Sequence, residues 1–337
     1  MSTNREHLGL LFIGDPHLAT RAPGWRKDDY PQAILGKLGW CLRYARENKL
    51  LPVILGDVFH HPREISNQML VDLLTLLNEP VWTIAGNHDC HENSLTDSDT
   101  LSVLEAAGRI KLLERDGPWC GTIGGRSVIV GGTCWGDAIP EAFDRSQFGD
   151  ARALVFWITH HDIRFPGNDA AADFDCREIP GIDVIINGHV HKQAIDARAG
   201  ATTWMNPGNI ARVQRSDVSR SQTPAVLRID IASVAGVADA GPGSATPATD
   251  THQSWRATRI DVPHQPFDEV FHAEMDSPEA SQGESSFIKE LAALESIRTA
   301  SGQGLMAFLD ANLGQFDPRV AAEIRSLAQE VLTNANR

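Results

Sequence analysis

Three short aliphatic runs, Leu8–Ile13, Leu51–Leu55 and Val81–Ala85, each break at a Gly, Asp or Asn and are separated by longer amphipathic stretches. Short, almost continuous apolar runs bounded by turn residues read as strands buried on both faces. The intervening segments, Gln32–Lys49 and Ile65–Asn78, space their apolar residues as helices do, with Ser66 and Asn67 as caps near the second start. A β-α-β-α-β order predicts parallel strands joined by crossover helices. In such sheets ligands bind beyond the carboxyl ends of the strands.

From Trp119 the texture changes. Trp119–Ile123, Ser127–Gly131, Leu154–Thr159, Val184–Asn187, Thr202–Met205 and Ala225–Ile231 are strand candidates broken by Gly, Pro and Asp, which predicts a second sheet packed on the first. Residues 232–252, rich in Ala, Gly, Pro, Ser and Thr, read as a flexible loop or insertion, and Trp255–Val262 as a closing strand. Residues 1–265 are therefore expected to form one α/β domain. Residues 266–337, acidic and carrying helical patterns at Ser286–Ile297 and Pro318–Leu332, are expected to form a small helical C-terminal module.

Composition narrows the class. With 42% hydrophobic and 22% charged residues over 337 positions, the chain has ample core for a globular protein. No apolar run is long enough to span a bilayer, so no membrane partner and a cytoplasmic location are expected. Cys41, Cys90, Cys120, Cys134 and Cys176 are odd in number and widely spaced, against a disulfide framework or zinc knuckle. The net charge of −14 argues against a protein that coats nucleic acid. It leaves open an enzyme that acts on nucleic acid, because bound dications would reverse the local field.

Five motifs follow or end these runs in order: Asp15-Pro16-His17, Gly56-Asp57-Val58-Phe59-His60, Gly86-Asn87-His88-Asp89, Thr159-His160-His161 and Gly188-His189-Val190-His191. Singly, each could be a turn, a cap or a core histidine. Together they place Asp, Asn and His at the ends of successive strands, a donor set that suits Mn, Fe or Zn rather than Ca. Asp57, on the middle strand, is the natural carboxylate to bridge two dications. Such a pair clamps the oxygens of an in-line displacement and lowers the pKa of bound water, supplying hydroxide near neutral pH.

This set resembles the signature of calcineurin-like metallophosphoesterases over roughly Leu8 to Val262. The resemblance implies a four-layer α/β/β/α sandwich, two packed mixed sheets flanked by helices. It implies that Asp15, His17, Asp57 and His191 bind one metal while Asp57, Asn87, His160 and His189 bind the other. His88 would contact the phosphate or protonate the leaving oxygen, with Asp89 fixing its tautomer, and His161 would do structural work. Asn206-Pro207-Gly208-Asn209 resembles the family's Asn-Pro-Gly-Ser turn, with Asn209 in place of the serine.

Within that family, Asp15-Pro16-His17-Leu18 followed by Arg21, Arg26 and Lys27, then a helix, is similar to SbcD-type nucleases of DNA repair. That likeness implies a manganese-dependent DNA phosphodiesterase (an exonuclease or endonuclease, with Mg2+, Fe2+ or Zn2+ as other metals). Its substrate contacts are expected among Arg21, Arg26, Lys27, Asn206 and Arg212. It also implies an ATPase partner of the SbcC type. The short acidic stretch after Pro266 departs from that group's large cap, which points to a minimal enzyme. The alternatives are a phosphoesterase acting on a small diester, a nucleotide or a phosphoprotein, and a non-catalytic scaffold.

Overall fold

Leu10 and Phe12 pack into one core and Leu11 and Ile13 into another, so the first strand is apolar throughout because water reaches neither of its faces. The computed structural model describes residues 6–166, 172–232 and 254–272 and, near the end of the chain, residues 320, 322 and 324–328. Two units divide the chain, Met1–Ala273 and Glu274–Arg337.

Among the described residues of the first unit, one six-stranded sheet contains β1 (Gly9–Ile13), β2 (Leu50–Ile54), β3 (Val81–Thr83), β4 (Ile110–Leu112), β13 (Ala225–Ile231) and β14 (Trp255–Asp261). Their order is β14-β13-β1-β2-β3-β4, with β1 to β4 parallel and the last two antiparallel. A second six-stranded sheet contains β5 (Trp119–Ile123), β6 (Arg126–Thr133), β7 (Leu154–Thr159), β10 (Val184–Asn187), β11 (Ala194–Ala199) and β12 (Thr202–Asn206). Its order is β11-β12-β10-β7-β6-β5, again mixed. A ribbon of β8 (Ile163–Arg164) and β9 (Phe174–Asp175) is separate from both.

The layers follow from the two-residue period of the strands. Leu10, Phe12, Val53, Phe156, Ile158, Val184, Ile186, Leu227 and Ile229 fill the space between the sheets. The opposite face of the first sheet packs on α1 (Tyr30–Glu47) and α2 (Asn67–Leu76) through Ile34, Leu38, Cys41, Met69 and Leu73. Helix α1 buries Tyr30, Ile34, Leu38, Cys41 and Ala45, an i, i+4 stripe, and begins at a capping Asp29 with proline in its first turn. Ser66 caps α2 by accepting from the Met69 amide at 3.2 Å, as expected from sequence. On the outer face of the second sheet, Ile129, Val155, Ile185 and Trp204 are covered by Ile139, Phe165, Ile179 and Ile182, from the loops around a 3-10 turn at Arg145–Phe148 and the small ribbon.

Several elements were not legible from sequence: α3 (Thr100–Ala106), α4 (Leu113–Asp116), α5 (Asp217–Ser221), β4 and β11. The first unit continues to Ala273, and α6 (Phe267–Val270) buries Phe267, Val270 and Phe271. Phe271 bridges to Arg26, whose guanidinium lies 5.3 Å from its ring. Within Pro318–Leu332, the described residues 320, 322 and 324–328 are helical. The expected loop at 232–252 (beyond Ala232) and the helical pattern at Ser286–Ile297 lie outside the described residues. Among the described residues, no helix is long and apolar enough to cross a membrane.

Candidate metal centre

Strands β1, β2 and β3 of one sheet and β7 and β10 of the other all deliver a motif just past their carboxyl ends. The turns there are tight. Asp15, His17, Asp57 and His189 have φ of 35°, 47°, 46° and 60°, left-handed values that side chains other than glycine rarely adopt. Each costs on the order of 1–3 kcal/mol, and such strain persists only where the surrounding structure imposes it. Gly56 (φ 91°) and Gly86 let two of these turns touch. A β-carbon at Gly86 would collide with Asp57 Oδ1 and with the Asp57 amide. Gly86→Ala is therefore expected to displace Asp57 and to weaken metal binding at least tenfold, read by titrating metal into the chelated protein.

The donor atoms of Asp15, His17 and His191 lie within 4.8 Å of one another, as do those of Asp57, His160 and His189. On one side, His17 Nε2 is 3.2 Å from His191 Nε2 and 3.6 Å from Asp57 Oδ2, and His191 Nε2 is 3.5 Å from Asp15 Oδ2. On the other, His160 Nε2 is 3.2 Å from both Asp57 Oδ2 and Asn87 Oδ1, and His189 Nδ1 is 3.0 Å from Asn87 Oδ1. Ligands 2.0–2.2 Å from an ion lie about 2.8–3.6 Å apart, for octahedral through tetrahedral angles. The observed spacings are edges of that size, and Asp57 Oδ2 of the second set also lies 3.6 Å from His17 Nε2 of the first.

Hydrogen-bond bookkeeping also fits a cation. His160 Nδ1–H donates to the Leu55 carbonyl at 2.7 Å, so in the neutral ring Nε2 is a bare lone pair facing two oxygens. Neither oxygen of the buried Asp15 finds a donor in good geometry among the described residues. Burial pushes its carboxyl up to about 8 although His160 pulls it down, because burial disfavours the anion. His17, His189 and His191 are all held below the usual imidazole range, burial being the largest cause. His160 is the exception. Asp57 and Asp15 outweigh its burial and lift it to about 9. Three of the four imidazoles are thus already neutral, as a divalent ion requires of its ligands, and an ion binding here would displace the proton from His160.

Comparison with known proteins agrees with this geometry. The family described as calcineurin-like phosphoesterase matches residues 8–193, more than half of the chain and all of these donors. The chain belongs to that family. Metal-dependent hydrolysis of phosphoesters is the activity that goes with it. Among solved structures, a Thermus thermophilus sulfate thiohydrolase SoxB in complex with glycerol is 14% identical, with TM-score 0.32, covering 68% of this chain and 52% of its own. A 5'-nucleotidase from Candida albicans is 11% identical, with TM-score 0.38, covering 77% of this chain and 53% of its own. The chain thus spans about half the length of these two proteins. No match is found among curated protein sequences.

In this phosphoesterase His88 belongs to neither of these two sides, but its ring forms a third group with His17 and His60 whose donor atoms also lie within 4.8 Å of one another. Its backbone N–H donates to Asp57 Oδ1 at 2.8 Å and its ring meets His17 edge-on, with centroids 4.8 Å apart. The expectation that Asp89 fixes the His88 tautomer is corrected. The ring's Nδ1–H donates instead to the His60 carbonyl at 2.8 Å. Buried Asp89 accepts from the amides of Phe59 (2.9 Å), Gly86 (3.0 Å) and Val58 (3.2 Å). It stitches the turn after β2 to the turn after β3, so its role is positional. His161 Nε2 donates to the Asp137 carbonyl at 2.8 Å, and the ring belongs to none of the donor groups among the described residues.

The expected substrate contacts separate. Arg21 is exposed and lines a groove beside the centre. Arg26 is buried against Asp28 at 2.6 Å, donates to the Arg212 carbonyl and lies over Tyr30. Lys27 Nζ donates to the Asp268 carbonyl. The Arg212 guanidinium donates to the carbonyls of Gln265 and Gln222. Asn206 Nδ2 donates to the carbonyls of Gly188 and Val190 while its Oδ1 accepts from the Gly208 amide, which shapes the loop carrying His189 and His191. Arg26, Arg212 and Asn206 are buried in these contacts, whereas Lys27 is exposed. Sequence reasoning gave no role to two residues at the centre. His60 stacks on His88 with centroids 5.3 Å apart, and Trp135 packs on His189 at 4.8 Å. His60 carried a signal, since it closes the second motif, whereas Trp135 carried none.

Proposed function

We propose that this chain is a dinuclear phosphodiesterase, with DNA as its substrate in the manner of SbcD-type nucleases. One observation carries the dinuclear reading: Asp57 Oδ2 stands 3.6 Å from His17 Nε2 and 3.2 Å from His160 Nε2, within reach of both donor sets. Asp15, His17, Asp57 and His191 would hold one ion, and Asp57, Asn87, His160 and His189 the other. Two divalent ions, Mn2+ by donor type, supply charge stabilisation for the phosphoryl oxygens and activation of water. The protein's own contribution is position and a proton. Asp89 and Gly86 fix the two turns, and His88 presents Nε2 to the leaving oxygen. Supplying that proton matters more for a sugar alkoxide than for an easily expelled group, which favours a diester of nucleic acid. The groove of about 750 Å³ adjoining His60 supports the same reading, because it leaves room for a leaving group larger than a water-sized product.

The test is direct. The protein is chelated, reloaded with Mn2+, and given labelled single- and double-stranded DNA, a 5'-nucleotide and bis-p-nitrophenyl phosphate. Two ions per chain by elemental analysis, a raised Tm, and DNA cutting that EDTA abolishes are expected. Hydrolysis of the small diester or of the nucleotide with intact DNA would replace the nuclease reading by a small-substrate phosphoesterase. One ion per chain at saturation would remove the bridge.

A further inference from the structure

The groove beside the centre has two walls, residues 19–24 and 60–66, which continue from His17 and Asp57 respectively. They are pinned at their base by backbone pairing of Leu18 with Phe59. His60 lies in the groove lining and stacks on His88, so the groove opens on the side where the leaving group would depart. Its volume falls in the ~300–1,000 Å³ range of clefts that hold small ligands. Arg21 supplies a cation to its lining, with Glu64 on the opposite wall.

One residue past this lining stands Trp25, with 62% of its surface exposed. Single exposed apolar residues are ordinary. What distinguishes Trp25 is its mounting. It sits in a turn closed by the Arg26 amide on the Pro23 carbonyl at 3.3 Å, with Gly24 in the left-handed region at φ 54°. The Trp25 carbonyl accepts from the His272 amide at 3.0 Å and the Lys27 amide donates to the Val270 carbonyl at 3.0 Å. The buried Arg26 beside it is locked to Asp28. The backbone is thus fixed on both flanks while the indole is left in water. An exposed indole carried on a fixed backbone, four residues along the chain from the groove's Arg21, is the kind of platform on which nucleobases of a single strand stack.

We propose that this groove is the subsite for the nucleotide segment leaving the scissile phosphate, with Trp25 stacking a nucleobase and Arg21 pairing with a backbone phosphate. The proposal rests on the nuclease reading above and names the part of the substrate that the reading leaves open. It assigns two specificity-determining residues outside the metal centre.

Binding is measured on the full chain loaded with Mn2+ and carrying His88→Asn to slow turnover, using a fluorescent single-stranded oligonucleotide and the same oligonucleotide with abasic sites. Trp25→Ala is expected to raise Kd for the base-bearing strand about tenfold and to leave Kd for the abasic strand within twofold, whereas Trp25→Phe should restore most of the loss. A structural role for Trp25 would move both strands alike. Arg21→Ala should lower the slope of log Kd against log salt by about 0.7. Equal effects of Trp25→Ala on the two strands, or no binding of the oligonucleotide at all, would overturn the subsite. An oligonucleotide bound in a Trp25- and base-dependent way but never cut by the His88 protein would instead overturn the nuclease reading and leave the subsite standing.

Discussion

Asp57→Asn will bind at most one ion per chain and will lose phosphodiesterase activity by at least ~10³-fold, the consequence of removing several kcal/mol of charge stabilisation. The substitution is nearly isosteric, so the argument is one of charge. Asp57 is buried, with 1% of its surface exposed. Burial alone would raise its carboxyl, yet His160, His88 and His17 together hold it well below the usual carboxylate range. It is the anion around which the other side chains are arranged. An amide in its place offers a weaker, neutral oxygen, and its NH2 would point at Nε2 of His160 or His17 where a cation is needed. The His88 amide can still donate to the remaining oxygen, so the turn after β3 should survive. Metal content by elemental analysis, the Mn2+-dependent gain in Tm and turnover of bis-p-nitrophenyl phosphate separate the outcomes. A variant that still bound two ions with wild-type affinity would show that Asp57 is not the shared ligand.

The parts of this site that are legible in the sequence are those written in local sequence. Strands β1, β2, β3, β7 and β10 announced themselves as aliphatic runs ending in Gly, Asp or Asn, because strands buried on both faces must be apolar throughout. β4 is three residues long with a lysine in the middle, and β11 has a register shift between Ala194 and Ala197 and much of its surface exposed, so neither has a period to detect. Helix α1 was visible through its i, i+4 stripe, whereas α3 is only seven residues long. Metal donors were legible for a similar reason: their chemical type is their role. Roles defined by a partner far along the chain were not. Asp89 looked like a partner for the ring of its neighbour His88, but its oxygens are taken by amides from the strand β2 turn some thirty residues away. Arg26 and Arg212 read as phosphate ligands in sequence, and in the fold they donate to carbonyls and to Asp28, joining the segments that lead into α1 and α6 to the 206–215 loop. A basic residue in a loop does not disclose from sequence whether a carbonyl or a phosphate awaits it.

The role assigned to His88 makes a prediction that depends on the leaving group. His88→Asn should retain both ions, since neither set that includes or adjoins Asp57 contains its ring, and its Nδ1 is taken by the His60 carbonyl. It should lower kcat on an oligonucleotide by about 10²- to 10⁴-fold, the range for a lost general acid. With p-nitrophenolate as the leaving group the loss should be far smaller, because that anion departs without a proton. The geometry supports the distinction. The Nδ1–H is committed to the His60 carbonyl at 2.8 Å, which aims Nε2 away from the backbone, and stacking on His60 fixes the ring plane. A mere loss of metal or of fold would depress both substrates equally. His60→Ala removes the stacked ring but keeps the carbonyl that orients His88. It should therefore cost less than His88→Asn on the oligonucleotide, and its defect should likewise shrink on the nitrophenyl ester. If His88→Asn slowed both substrates by the same factor with metal content intact, the proton would have to come from elsewhere, and His88 would be left as a phosphate contact.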